Sequence, residues 1–459
     1  MAQGNNRLAS IASFTLFSAW LIAFPYEGQV LYSLFALRAI SPSVWIIAAI
    51  AAHLCGLVCC ALFVKNLKGA KKAMLLSGAV CFLGTALFFI PVSALWMASL
   101  LCVSLFAGFF ISAWGYFYRE YTPAGKRMGT VALTLALSAA LMIFVNLCAV
   151  YVSAYLALGL CLVLLAGALY FALRLPVPAV LRETPAERVS YIQPFATLCA
   201  FVLIITINSG LMFQVILPAF SDVGLVADIY WAVPYIAAIF LVSRLPARID
   251  KGYILYAAIA MLGFAFIAFV ALDRSAWSYI AINTLLLGAC GVNDLFWWSI
   301  LGELLDFDKN PAKTLGIGLG ANVAGVLLGK LIGSASIFSA SSGACALIGM
   351  AVVCVAVVLL PPLHGQLLLV LKGNSFLAAF SELSPDAQAE TVSEAARIAG
   401  LSERENEVAL LLLKGWPYRL IGEKLFISES TVKTHVLSIY GKLGVHSRTE
   451  LIQKFSEET

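Results

Sequence analysis

The sequence predicts an all-α protein: a polytopic membrane body of twelve transmembrane helices arranged six and six, followed by a small water-soluble domain of four short helices. Three observations predict it. First, 62% of the 459 residues are apolar and only 12% are charged, whereas a soluble globular domain is roughly a quarter charged; an ordinary soluble enzyme is excluded. Second, residues 1–363 hold 19 Lys and Arg against 12 Asp and Glu, residues 364–400 hold 2 against 4, and residues 401–459 hold 8 against 8. The last segment alone has the charge density of a soluble domain. Third, the first 363 residues divide into twelve apolar stretches of the length that crosses a bilayer, about 20 residues.

The stretches lie near 11–35, 42–64, 73–91, 94–118, 129–151, 153–173, 195–218, 226–245, 254–272, 276–302, 314–337 and 343–363. The first is too long for a signal peptide and lacks a small-residue cleavage site after a short apolar core, so it reads as a retained helix. Short cytoplasmic loops collect Lys and Arg. One set of alternate loops holds Lys65, Lys68, Lys71, Lys72, Arg119, Lys126, Arg127, Arg174, Arg182, Arg188, Arg244, Arg248, Lys251, Lys309 and Lys313, and the other holds Arg38 and Arg274. That bias places both termini in the cytoplasm and the chain in the inner (plasma) membrane.

The longest internal loop, the proline-bearing segment from Arg174 to Pro194, divides the helices into six and six. Asp250-Lys251-Gly252 after the eighth helix and Lys65-Asn66-Leu67-Lys68-Gly69 after the second faintly resemble the acidic-basic-glycine loop signature of the major facilitator family. Together with the helix count, they make the body similar to that two-bundle architecture.

Ionisable groups at membrane depth are costly unless they face a cavity or a partner. Glu27, His53, Asp294 and Lys330 stand out. Asp294 or Glu27 neutralising Lys330, or Lys330 snorkelling to the interface, is one reading; ligand or proton sensing is the other. Around Asp294 lie Asn293, Phe296, Trp297 and Trp298, with Trp277 and Asn283 on the same helix. Such residues suit a pocket for a small, partly polar molecule, although tryptophans near helix ends also serve as interfacial anchors. Glu27, Asn293, Asp294, Trp297 and Lys330 are therefore the candidates for ligand sensing. In the eleventh helix, Gly325, Gly329 and Gly333 have the spacing of close helix packing. The Gly316, Gly318, Gly320 run there lacks the Gly-Lys-Ser/Thr of a phosphate loop.

All eleven cysteines (Cys55, Cys59, Cys60, Cys81, Cys102, Cys148, Cys161, Cys199, Cys290, Cys345 and Cys354) lie in apolar stretches and none pairs as Cys-x-x-Cys. They read as packing residues. No cofactor, metal or catalytic residue set is expected, and the chain is read as a non-enzyme.

Beyond Pro361-Pro362 the chain turns polar. Residues 364–400 read as a cytoplasmic linker whose short helix starts at Ser384-Pro385-Asp386 and ends before Gly400; it should transmit position or tension. From Leu401 a soluble domain follows. Ser402 and Glu405 form a Ser-x-x-Glu capping box, and the helix they open runs through Val408, Leu411 and Leu412 to a stop at Gly415. A second helix is expected over Tyr418 to Leu425. A third starts at Ser428, carries Val432, Val436, Ile439 and Leu443 on one apolar stripe, and stops at Gly444; Ser447 caps a fourth with Leu451 and Ile452 inward. Four short amphipathic helices with tight turns make a helix-turn-helix unit whose third helix is placed for recognition.

Leu401-Ser402-Glu403-Arg404-Glu405-Asn406-Glu407-Val408, Ile421, Leu425, Ile427-Ser428, Thr431-Val432-Lys433-Thr434-His435-Val436, Ile439, Lys442-Leu443-Gly444-Val445 and Arg448 resemble the LuxR/NarL-type DNA-binding domain from end to end. The resemblance implies that Lys433, Thr434 and Leu437 face base edges in the major groove, while Thr431, His435 and Lys442 approach phosphates or support the helix. Leu437 stands where the family often has a polar or basic residue, which points to an apolar contact with a thymine methyl. Pro417, Tyr418 and Leu420 replace the usual Ser, Asn and Glu.

The whole chain is similar to the integral-membrane LuxR-type regulators of bacteria. What this implies is a one-component transcription regulator that senses a small molecule or membrane signal and binds double-stranded promoter DNA as a homodimer, with RNA polymerase a further candidate partner. The alternative is a secondary transporter with an autoregulatory DNA-binding tail. The neutral charge of the tail also leaves open a protein-interaction module, although Lys433, His435, Lys442 and Arg448 lie on or just after the third helix.

Overall fold

The computed structural model describes residues 2–26, 28–178, 191–245, 251–335, 342–414 and 416–458, and all the described elements are helical. They divide into two compact units, residues 1–182 with 198–359, and residues 183–197 with 360–459.

The body opens with α1 (Ala2–Ala23) and α2 (Gln29–Leu37), followed by α3 (Ser43–Phe63), α4 (Leu67–Ala86), α5 (Ser93–Tyr121), α6 (Arg127–Tyr151) and α7 (Ala154–Arg174). Its second half consists of α8 (Ile192–Leu211), α9 (Leu225–Tyr230), α10 (Val233–Ser243), α11 (Lys251–Ala271), α12 (Ala276–Leu304), α13 (Pro311–Ser334) and α14 (Ser342–Glu382). Eleven of the described helical stretches are long and apolar enough to cross a membrane, and they correspond to the second through twelfth stretches expected. The chain is a polytopic membrane protein.

The first stretch, expected as one helix over 11–35, is instead α1 and α2 separated by a break. Pro25 cannot donate a helical hydrogen bond, and at Gly28 the chain passes so close to the Ala23 carbonyl that a Cβ there would collide with it. Glu27 lies outside the described residues, as do Arg182, Arg188, Arg248, Asp250 and Gly415. Two further interruptions occur in the second half. The α8 helix widens into a π-turn over Met212–Ile216, and α9 and α10 are separated at Trp231-Ala232, just before Pro234. The twelfth stretch, expected to close near 363, continues as helix through Pro361 and Pro362 to Glu382.

Within the body α3 and α5 pack on each other and on α13, while α6 packs on α10 and α12, so the two halves meet along these helices. Small residues allow the approach. A Cβ on Gly325 would meet the Leu203 carbonyl, and one on Gly329 the Ile207 carbonyl; the glycine ridge of α13 thus lies directly on the α8 backbone. Several buried polar groups find partners between helices, where no water is at hand to satisfy them. The Trp20 indole donates to Thr85 Oγ1 at 3.1 Å, the Ser13 hydroxyl to the Ala168 carbonyl at 2.9 Å, and the Ser112 hydroxyl to the Leu57 carbonyl at 2.9 Å. Trp114 is stacked between Phe14 and Tyr118, with ring centroids 3.9 and 4.6 Å away.

The linker helix α15 (Pro385–Ile398) is capped by Ser384, whose hydroxyl accepts from the Ala387 amide at 3.2 Å. It ends at Gly400, which adopts φ +66°. The soluble domain then contains α16 (Glu403–Leu413), α17 (Tyr418–Leu425), α18 (Glu429–Leu443) and α19 (Arg448–Glu458). The Ser402–Glu405 capping box is formed in both directions, Ser428 caps α18 by accepting from the Thr431 amide, and Gly444 ends α18 in the left-handed conformation. Val408, Leu412, Ile421, Val432, Ile439, Leu451 and Ile452 are buried and form this domain's own core.

The glycine contacts generate a test. Gly329→Val should lower the stability of the body by about 3 kcal/mol or more, because the added atoms meet backbone that cannot yield. Gly159→Val, where nothing lies within 4 Å of an added Cβ, should fold normally. Thermal unfolding of the two purified variants in detergent compares them.

Candidate functional site

Two places in the molecule could carry function, one on the soluble domain and one inside the body. On the soluble domain α18 has two faces. Val432, Val436 and Ile439 are buried, while Ser430, Thr431, Lys433, Thr434 and Leu437 are exposed and His435 is half-buried. Ser430, Lys433, Thr434 and Leu437 recur at the helical spacing and form one outward stripe. Leu437 is 71% exposed, an apolar contact group with no role in the domain core. Lys433 Nζ lies 2.9 Å from Glu429 Oε1, and both side chains are half exposed. Such a surface pair is worth about 0.3–0.5 kcal/mol, less than the 1–3 kcal/mol of a good base contact, so DNA can readily displace Glu429. The Thr434 hydroxyl donates to the Ser430 carbonyl at 3.1 Å, and Thr431 Oγ1 lies 2.7 Å from Ser428 Oγ.

Two cations of this region point inward instead. Lys442 donates to Glu405 Oε2 at 2.7 Å and to the Gly400 carbonyl at 3.1 Å, and the Arg448 guanidinium donates to the Leu412 carbonyl. Glu405 also accepts from the Ser438 hydroxyl at 2.6 Å and the Ser402 amide at 2.7 Å. Burial pushes its carboxyl up, but the hydrogen bonds from Lys442, Ser438 and Ser402 outweigh burial and hold it down at about 2. This network joins the start of α16 to the end of α18 and fixes the angle at which the exposed stripe is presented. A neighbouring feature had no sequence signal: Phe426, in the turn between α17 and α18, is 94% exposed and sits at φ +56°.

Inside the body a cavity of about 280 Å³ is lined by residues of both halves. Each interruption of the helices contributes to its wall: Tyr26 from the first break, Met212 and Phe213 from the π-turn, and Trp231 and Ala232 from the third. Irregular backbone at membrane depth is tolerated where it lines such a space. Asp294 and Trp297 of α12 are in the wall; Asn293 and Lys330, though buried, are not among the described lining residues. Asp294 Oδ2 accepts from the Tyr235 hydroxyl at 2.9 Å and Oδ1 from the Trp297 indole at 3.1 Å. Those two donors, rather than Lys330, hold the carboxylate among the described residues. Tyr235, on α10, was not legible from sequence, being one of 16 tyrosines and without a motif around it.

At one end of the bundle the halves are latched by charge. Arg127, fully buried at the start of α6, lies 2.7 Å from Asp306 and 3.3 Å from Glu303 at the end of α12. Beside it Arg119 donates to the Asp308 carbonyl at 3.0 Å, and Asn310 donates to the Val64 carbonyl at 3.1 Å.

Comparison with known proteins places both parts. Residues 399–455 match the model of the bacterial regulatory proteins of the luxR family. The chain is 48% identical over 52 residues to the transcriptional regulatory protein DegU of Brevibacillus brevis, a match covering 11% of this chain and 22% of that protein. It is 47% identical over 57 residues to the transcriptional activator protein ExaE of Pseudomonas putida, covering 12% and 27%. The chain thus spans about a quarter of the length of these curated relatives. The body is similar in structure to the human organic anion transporter MFSD10, with a TM-score of 0.60 and 13% identity over 78% of this chain and 98% of that one. A bacterial homologue of the iron transporter ferroportin in an outward-facing state is likewise similar, with a TM-score of 0.59 and 14% identity over 80% of this chain and 100% of that one. Residues 399–455 are a LuxR-type DNA-binding domain, and the body has the major facilitator fold.

Two predictions arise here. The depressed Glu405 carboxyl contributes stability that is complete above its ordinary value of 4.5 and lost as the pH falls through about 2. Circular dichroism of residues 384–459 should show melting temperature dropping across that window, and Glu405→Gln, costing about 1–3 kcal/mol at pH 7, should flatten the drop. For the latch, Arg127→Met should cost about 3–5 kcal/mol by leaving two carboxylates without their cation. Adding Glu303→Gln and Asp306→Asn should recover most of the loss in detergent melting curves.

Proposed function

We propose that this protein is a membrane-embedded one-component transcription regulator, in which the major facilitator body senses a small molecule and the LuxR-type domain binds promoter DNA. The observation that carries the reading is the joining in one chain of a domain 45–48% identical to transcription regulators with a body enclosing a carboxylate-bearing cavity. In this reading Lys433, Thr434 and Leu437 read base edges and Thr431 and His435 approach phosphates. Lys442, through Glu405, supports the recognition helix. The loop-cation bias puts both termini, and with them the DNA-binding domain, on the cytoplasmic side of the plasma membrane. Two copies would pair on half-sites about one helical turn apart, and RNA polymerase would be met at the promoter. Asp294 and Trp297 are the sensing residues; the chain has no catalytic role.

A second reading keeps the DNA-binding tail but makes the body a working transporter, favoured by the likeness to MFSD10 and to the ferroportin homologue. Uptake of a candidate solute into proteoliposomes separates the two.

Lys433→Ala should weaken binding to the cognate promoter by about 1–3 kcal/mol, roughly tenfold to a hundredfold, while expression and membrane insertion stay normal. Promoter sites come from chromatin immunoprecipitation with sequencing, and gel shifts of the solubilised protein measure the affinity. Unchanged affinity would refute the assignment of Lys433 to base contact.

A further inference from the structure

The cavity itself specifies the class of molecule it holds, and we infer that its ligand is a compact monovalent organic cation with an apolar or aromatic body. Among the described lining residues Asp294 is the sole member of the Asp, Glu, Lys and Arg set. Its two oxygens are positioned as acceptors. The Trp297 indole can only donate, so the oxygen it contacts is an acceptor, and the Tyr235 hydroxyl donates to the other oxygen. Each oxygen retains acceptor capacity, and the half-buried side chain turns it toward the cavity.

The rest of the wall agrees with a cation. Trp297 and Trp298 lie stacked with centroids 5.4 Å apart, and Phe14 meets Trp298 edge-on at 5.7 Å. With Trp231 and Phe213, also in the wall, they offer aromatic faces, which attract desolvated cations. Another polar group of the wall, His53, has Nδ1 3.1 Å from the Ser104 carbonyl. A carbonyl only accepts, so Nδ1 carries the proton and Nε2 is left as an acceptor. Asp294 and His53 therefore ask the ligand for donors. An anion would meet a carboxylate and, among the described lining residues, no Lys or Arg. An uncharged apolar molecule would strip water from Asp294 without replacing it, a costly burial. At about 280 Å³ the space lies at the small end of ligand cavities, which suits a compact cation.

A neighbouring cavity of about 460 Å³ shares Phe213 and Trp231 with the first and is walled by Asn146 and Val150 near the end of α6. Arg127, the centre of the charge latch, is at the other end of that helix, some 30 Å away at about 1.5 Å per residue. The second cavity thus lies away from the latched, cation-rich end of the bundle.

This inference deepens the sensing reading and rests on it only for the reporter experiment. Full-length protein in lipid nanodiscs is titrated with 2-phenylethylammonium and benzyltrimethylammonium, with neutral 2-phenylethanol and with anionic phenylacetate, following tryptophan fluorescence and calorimetry. At least one cation should bind tenfold or more tightly than 2-phenylethanol, and phenylacetate should not compete. Asp294→Asn should lose tenfold or more in cation affinity with 2-phenylethanol unaffected. Trp298→Ala should also weaken the cation, which keeps the test decisive if the first variant folds poorly. Absence of cation binding, a neutral or anionic probe bound equally well, or Asp294→Asn and Trp298→Ala both without effect would overturn the assignment. A reporter gene on the target promoter supplies the separate arm. Cation binding with a silent reporter would overturn sensing and leave the ligand class standing; a reporter that answers other compounds while no cation binds would overturn the ligand class alone.

Discussion

Inside a bilayer there is no water to satisfy a polar group, and this constraint organises the whole body. Backbone amides and carbonyls must bond within helices, so departures from regular helix occur where another group or a cavity takes over. The three interruptions, around Pro25, over Met212–Ile216 and at Trp231-Ala232, all open on one internal space. Two of them follow the first helix of a half, which is where discontinuous helices in paired repeats mark a binding site. The rule also governs charge. Asp294 is tolerated because two donors hold it, and Arg127 because two carboxylates surround it.

The soluble domain obeys the opposite economy, since water surrounds it and only a small core has to be excluded. Its specificity lies in how charge is shared between inside and outside. Lys442 and Arg448 are committed to Glu405 and to the Leu412 carbonyl, so Lys442 braces the recognition helix against α16 and Arg448 ties α19 to α16. Lys433 has only an exposed partner on its own helix. A domain with balanced charge can therefore still present a cation where DNA would meet it, because Glu405 is held in the brace and Glu407 beside Arg404, and Glu429 is only an exposed surface partner.

Much of this was legible from local pattern. Caps, stops and apolar stripes placed α17 over Tyr418–Leu425 and the start of α18 at Ser428, because each signal acts within a turn or two of chain. The membrane stretches were legible for the same reason, as length and hydropathy are local. The first stretch departs from its apolar pattern because Pro25 and Gly28 outweigh the apolar run around them. Which of its two expected roles Lys442 takes, phosphate contact or support of the helix, is not legible locally, since Glu405 lies 37 residues before it.

By itself, the sequence determined an all-helical membrane protein ending in a LuxR-type DNA-binding domain, since hydropathy, capping and motif are written in neighbouring residues. Tertiary structure alone decided which polar groups meet. Tyr235 reaches Asp294 across 59 positions and Arg127 reaches Asp306 across 179. Such pairings depend on the crossing of helices, which follows from close packing at positions such as Gly325 and Gly329, where the lack of a side chain lets α13 lie on the carbonyls of α8, and no local pattern in the chain encodes which helix that partner will be.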